Sequence, residues 1–250
     1  MRNHLMKKAS SADSFDLSIS DLMAALCCVF LLFLAISSIE MTKQKERYEI
    51  KNGRAGEYIM KQRELKEVLS AEFKEDFERW NAYITDDLTI HFRDINVLFE
   101  PNDDVVRQKL KVILDSLFPR LIDIISDDRF RDDILEIRIE GHTAPISYDG
   151  LYRLPISQEE SFKRGMVTSH NRTTNVLFYC LENTKLTKDT IGDMDAHDWI
   201  RKHLVAISYS DSLPVYKAGT NEIDLEASRR VEIKIRTKAE EAIYEINDLE

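Results

Sequence analysis

Hydrophobic positions along the chain fall into three regimes. From Leu22 to Ile39 the sequence reads LMAALCCVFLLFLAISSI, with no charged residue until Glu40. A helix that crosses about 30 Å of hydrocarbon needs about 20 apolar residues. Ile19, Ser20 and Asp21 bring the run to that length. The acidic stretch from Asp13 to Asp21 is a poor leader for a cleaved signal peptide, and no small-x-small cleavage site follows before Glu40. The pattern predicts a retained transmembrane helix over 19–39, preceded by a tail over 1–18.

Residues 40–84 are polar, with alternating Lys and Glu suited to a solvated helix. Within them Leu65, Leu69, Phe73, Phe77, Trp80 and Ile84 recur at helical spacing. Such a stripe serves either as a core face of the helix's own domain or as a pairing face in a dimer. Asn52-Gly53 and Gly56 are expected to interrupt this helical linker near its membrane end.

From about Thr85 the period changes. LTIHF reads as a strand, and the stretch from Val105 to Asp127 as an amphipathic helix that Pro119 kinks or breaks. ILEIRIEGHTAP alternates as a half-buried strand should before it turns. Helices are predicted over about Arg164 to Leu181 and Asp195 to Leu204, and strands at VAISY and RRVEIKIRT. The fold class is therefore α/β: after a single N-terminal transmembrane helix and a helical linker, a sandwich over 85–240 with one sheet and helices on one face. A tail over 241–250 closes the chain.

Charge narrows the function. With 35 Lys and Arg against 45 Asp and Glu, the net charge is −10, the wrong balance for a nucleic-acid binder. Cys27 and Cys28 sit in the apolar run and Cys180 stands alone in the remainder, which makes neither a disulfide framework nor a zinc spacing. No nucleophile constellation, metal cluster or phosphate loop is legible, so neither an enzyme nor a cofactor is expected.

Asp21 has two readings. SISD ahead of an apolar run is a good helix N-cap. A carboxylate at the membrane boundary is also costly to ionise, so that it holds a proton and releases it when its surroundings change. The run from Asp21 through Met23, Ala25 and Leu26 into Val29–Phe33 resembles the transmembrane helix of MotB-type stator subunits. That resemblance implies that Asp21 is the proton-carrying aspartate. A single carboxylate without a neighbouring Ser/Thr cluster leans towards protons over sodium. The family's plug segment after the membrane has no counterpart here.

The remainder resembles the OmpA-like peptidoglycan-binding domain. Ile139-Glu140-Gly141-His142-Thr143 matches its strand and Gly-x-Thr turn, and Ser169-His170-Asn171-Arg172 with Val176 matches its Ser-x-x-Arg helix start. Ser212-Leu213-Pro214-Val215 and Arg229-Arg230-Val231-Glu232-Ile233 match the late turn and last strand. The resemblance implies that Arg172 holds a stem-peptide carboxylate through its guanidinium fork, with Thr168, Ser169, His142 and Thr143 around the same groove. On the residues alone, the alternative readings are half of a surface salt bridge for Arg172 and a surface residue for His142. Where the family carries an aspartate for the ligand's ammonium, this chain has Ala144; Asp149, or another acid in the enlarged 145–164 segment, is the expected substitute.

Membrane helix and domain in this order are the architecture of a stator B subunit. The resemblance implies a homodimer, a multi-span A-type partner of the MotA or ZorA kind, and attachment to peptidoglycan. It also implies an inner-membrane location with the N-terminus cytoplasmic and the domain periplasmic. Charge does not itself favour that orientation: Arg2, Lys7 and Lys8 precede the helix, whereas Lys43, Lys45, Arg47, Lys51 and Arg54 follow it. The N-terminal tail lacks the basic, tryptophan-bearing approach of flagellar subunits. Together with the long linker and Ala144, this is most similar to the stator-like B subunits of Zorya anti-phage defence systems. A flagellar stator and a passive envelope anchor are the alternatives; small ExbD- or TolR-type subunits rank behind them, since those lack the Ser-x-x-Arg block.

Overall fold

The computed structural model describes the backbone of residues 2–92, 106–147 and 155–247, and their side chains apart from residues 2–21, 47–48, 50–52 and 245–247. The chain divides into two compact units, Met1–Arg54 and Ala55–Glu250. Helix α1 spans Arg2–Glu72. In the first unit it includes Leu22–Glu46, a stretch long and apolar enough to cross a membrane and with none of it buried.

Two local expectations change here. Asp21 has helical backbone on both sides, whereas an N-cap residue needs a non-helical one. The capping reading of Asp21 therefore fails. Nor do Gly53 and Gly56 break the helix. Each glycine costs a helix about 1 kcal/mol, which flanking helix formers such as Arg54, Ala55 and Glu57 offset.

In the second unit, α1 is followed by α2 (Lys74–Trp80), strands β1 (Ala82–Ile84) and β2 (Thr89–Phe92), and α3 (Gln108–Ile125). After a 3-10 turn come β3 (Ile134–His142), α4 (Gln158–Asn183) and a small ribbon of β4 (Thr190–Ile191) and β5 (Met194–Asp195). The chain ends with α5 (Ala196–His203), β6 (Leu204–Ser210), α6 (Leu225–Ser228), β7 (Arg230–Thr237) and α7 (Lys238–Asn247). The main sheet has the order β1-β2-β7-β3-β6, antiparallel except for the β3–β6 pair. This is the α/β sandwich expected from the alternating periods.

Strand alternation sorts the residues by face. Ile90, Ile137, Ile139, Ile233 and Ile235 join one apolar core with Leu114, Leu117, Leu121 and Ile125 of α3 and Val176 of α4. Pro119 lies within α3 without ending it, because the buried side chains on either side hold the helix against the sheet. Helix α4 starts earlier than its periodicity suggests. Ser157 caps it by accepting the Glu160 amide, the Ser-x-x-Glu arrangement of a capping box. The segment over 241–250 is not all tail, since α7 occupies it as far as Asn247.

The stripe on α1 and α2 belongs to this core. Leu65, Leu69, Phe73 and Phe77 are buried, with Trp80 and Ile84 packed at the margin. Arg120 of α3 fastens them: its Nε donates to Glu72 Oε1 at 2.8 Å, its Nη1 to Asp76 at 2.5 Å, and its guanidinium lies 4.6 Å from the Phe73 ring centre. The pairing-face reading of these residues gives way to the core-face reading. Leu69→Ala is expected to destabilise the second unit by about 2–5 kcal/mol, read by denaturant unfolding of the full chain in detergent. A change in oligomeric state without loss of stability would restore the pairing face.

Candidate functional site

The C-terminal end of β3 is where the motif residues gather. A Cβ built on Gly141 would lie 2.6 Å from Thr173 Cγ2 and 2.8 Å from the Ser169 carbonyl oxygen. One on Gly165 would lie 2.3 Å from Ser210 Oγ and 2.5 Å from Thr143 Oγ1. Two glycines therefore let α4 rest against the ends of β3 and β6 at backbone distance. Ser169, Arg172, Thr173 and Val176 recur at helical spacing and are all buried. The hydroxyl of Ser169 donates to the Gly165 carbonyl at 2.8 Å, and that of Thr173 to the Ser169 carbonyl at 3.1 Å. Ser169 is thus a packing residue of the helix–strand contact, while Thr168 beside it is half-buried.

Beyond β3, the Thr143 amide donates to the Ser210 carbonyl at 2.7 Å. The Thr143 hydroxyl is buried and has no hydrogen-bond partner among the described residues. Ala144 is buried as well, so no carboxylate stands at the family's aspartate position. Asp149 lies outside the described residues. The structure instead brings in Asp211, just past β6. Its Oδ2 accepts from Ser161 Oγ at 3.0 Å, and Ser161 Oγ in turn accepts the Ile146 amide at 2.9 Å. Asp211 lies in none of the four quoted motif blocks, although it directly precedes Ser212; the parallel β3–β6 pairing places it at this end.

On the other face of β3 lies a second cluster. His91 of β2 stands opposite Glu232 of β7, and Glu232 opposite Glu140 of β3. Glu232 Oε1 accepts from His91 Nδ1 at 2.7 Å and from Arg230 Nε at 2.5 Å. Its Oε2 faces His142 Nε2 at 3.5 Å. His142 is not the surface residue its strand-end position suggests: it is 2% exposed and stacked on Tyr209 with ring centres 5.0 Å apart. Neither of its ring nitrogens has a hydrogen-bond partner among the described residues.

The two carboxylates respond in opposite ways. Burial pushes the Glu140 pKa up. Burial works in the same direction at Glu232, but the facing imidazoles of His142 and His91 and the Arg230 guanidinium outweigh it and hold that carboxyl well below the usual range.

No family model matches the chain. Zorya protein ZorB of Escherichia coli is 32% identical over 231 residues, which cover 92% of this chain and 90% of that protein. The chain belongs to the ZorB family. Among solved structures, a MotB-like protein from Desulfovibrio vulgaris is similar at 21% identity and a TM-score of 0.48, covering 73% of this chain and 98% of that one. The cell wall anchor of the T6SS from Pseudomonas aeruginosa is similar at 18% identity and a TM-score of 0.42, covering 68% of this chain and 96% of that one.

The depressed pKa of Glu232 carries a sign for this ZorB-family chain. Its contribution to stability is full above the ordinary value of 4.5 and is lost only as the pH falls towards the folded-state value. Glu232→Gln is expected to cost about 3 kcal/mol at neutral pH, as removal of one partner from a buried ion cluster does. Thermal melts across a pH series should show that deficit shrinking only below pH 4.5.

Proposed function

We propose that this chain is the proton-conducting, stator-like B subunit of an anti-phage defence complex. It is held in the inner membrane by one helix and tethered to peptidoglycan by its C-terminal domain. The observation that carries the reading is the relationship to Zorya protein ZorB over nine-tenths of both chains. Asp21 heads the apolar stretch Leu22–Glu46 within an unbroken helix, which supports its role as the proton carrier.

In this reading Asp21 takes a proton from the periplasmic side and becomes neutral, which lowers the cost of its position at the membrane boundary. It then releases the proton inward as a multi-span A-type partner moves around it. Each charge crossing the membrane supplies about 2.3 kcal/mol per 100 mV. The force reaches the cell wall through the domain, where Arg172 and Thr143 face the stem peptide and Asp211 offers the carboxylate missing at Ala144. Two such chains, with N-termini in the cytoplasm, form the B-subunit pair.

Phage plating tests the motor. Cells carrying the native gene neighbourhood are compared for the intact chain and Asp21→Asn at equal membrane expression. The variant is expected to lose protection to the level of cells lacking the gene. Retained protection would leave a passive anchor, and absence of protection by the intact system, with impaired swimming on deletion, would leave a flagellar stator. The tether is tested separately by cosedimentation with purified sacculi. Arg172→Lys keeps the charge but loses the bidentate fork, and roughly tenfold weaker binding is expected from one lost charge-assisted hydrogen bond of about 1.5 kcal/mol. Unchanged binding at unchanged melting temperature would remove Arg172 from the site.

A further inference from the structure

On the sheet face opposite α3 and α4, two buried polar groups lack a close partner among the described residues. Glu140 is 7% exposed, yet among the described residues no Lys or Arg nitrogen approaches its carboxylate closer than Arg138 Nη1 at 3.9 Å. The cations of that face are engaged elsewhere. Arg138 Nε is bound to Glu136 at 2.7 Å, Lys234 Nζ to Asp87 at 3.0 Å, and Arg230 to Glu232 and the Leu213 carbonyl. Beside Glu140, neither nitrogen of the buried His142 ring has a hydrogen-bond partner among the described residues, and Nε2 stands 3.5 Å from Glu232 Oε2. A buried carboxylate whose nearest Lys or Arg nitrogen is 3.9 Å away, and a buried imidazole with no close hydrogen bond, each carry a desolvation cost that these contacts offset only in part. Here they adjoin, two residues apart on one strand and on the same face.

We propose that Glu140, His142 and Glu232 form a binding site for a divalent transition-metal ion, with zinc the best fit. One donor atom from each residue lies within 4.8 Å of the others. The His142 Nε2–Glu232 Oε2 separation of 3.5 Å is long for a hydrogen bond. It is close to the edge of about 3.4 Å expected between two ligands of tetrahedral zinc with bonds near 2.1 Å.

The support around the ligands is of the kind metal sites need. Glu232 directs Oε2 at the site while His91 and Arg230 occupy Oε1, so the carboxylate is oriented by outer hydrogen bonds. The Tyr209 ring fixes the plane of His142. An imidazole among the donors favours a transition metal over calcium or magnesium, which select oxygen ligands. Two carboxylates neutralise the ion, and three protein ligands leave a fourth position for water. The site joins β3 to β7 at the end of β3 that also leads into Thr143, so a bound ion ties the sheet together beside the α4 contact.

Isothermal titration of the untagged full-length chain in detergent, stripped with EDTA, against zinc chloride alone tests this. One zinc per chain is expected, with a rise in melting temperature. Glu140→Gln and His142→Gln should abolish that binding, and His91→Gln, which removes an outer partner, should weaken it about 10–100-fold. Circular dichroism confirms that each variant is folded, and Glu140→Gln preserves side-chain shape should His142→Gln fail to fold. Absence of stoichiometric zinc binding by the folded wild-type chain would overturn the site, as would unchanged binding in folded Glu140→Gln. Equal affinity for calcium would overturn the assignment to a transition metal.

Discussion

The close approach of α4 to the ends of β3 and β6 is the constraint on which the rest of the domain depends. Gly141 and Gly165 leave no space for a side chain, and the buried hydroxyls of Ser169 and Thr173 turn back onto their own helix. Because the helix sits so low, Arg172 is drawn into the protein and Thr143 is caught between α4 and Ser210. The Ser-x-x-Arg and Gly-x-Thr blocks are thus two halves of one packing contact. Their spacing in the sequence reflects backbone geometry as much as ligand chemistry, since a Cβ at either glycine would push the helix off the sheet.

The same strand serves two environments. Its odd-numbered positions Ile137 and Ile139 fill the core, while Glu136, Arg138, Glu140 and His142 look the other way. On that second face, charge is arranged across strands. The row Tyr83, His91, Glu232 and Glu140 crosses four neighbours in register, and the outer ions Arg138, Lys234 and Arg236 pair among Glu136, Asp87 and Glu240. Polar residues on a sheet face usually meet water, where pairs contribute little. Burial of Glu140, His142 and Glu232 raises the stakes of every contact they make or lack.

The linker illustrates a different division of labour. The helical spacing of Leu65, Leu69, Phe73 and Phe77 is plain in the sequence, but periodicity states only that one face of a helix is apolar. Whether that face meets its own domain or a second chain depends on what α3 presents to it. Arg120, far away in sequence, clamps Glu72 and Asp76 and closes the face into the core. Gly53 and Gly56 show the limit of local propensity in the other direction, because a modest cost per glycine does not stop a helix whose other residues favour it.

What the sequence by itself determined are the properties carried by local pattern: an apolar stretch of membrane length, the α/β alternation, the order of the motif blocks and the absence of a carboxylate at Ala144. Hydrophobic period and covalent order settle these without reference to distant residues. The tertiary structure alone decided which side chains share a site. Asp211 reaches the Thr143 end through the parallel β3–β6 pair, Ser169 becomes packing because α4 lies on Gly141, and α7 occupies part of the expected tail. The Glu140–His142–Glu232 cluster arises in the same way. IEGH and RRVEIK each read as an alternating strand with a wet face, and only antiparallel pairing of β3 with β7, in one register out of several, sets Glu232 opposite Glu140 and buries both. The alternating pattern fixes which face of each strand is buried, but which residues of two strands distant in the sequence stand opposite one another is decided by their pairing in the fold.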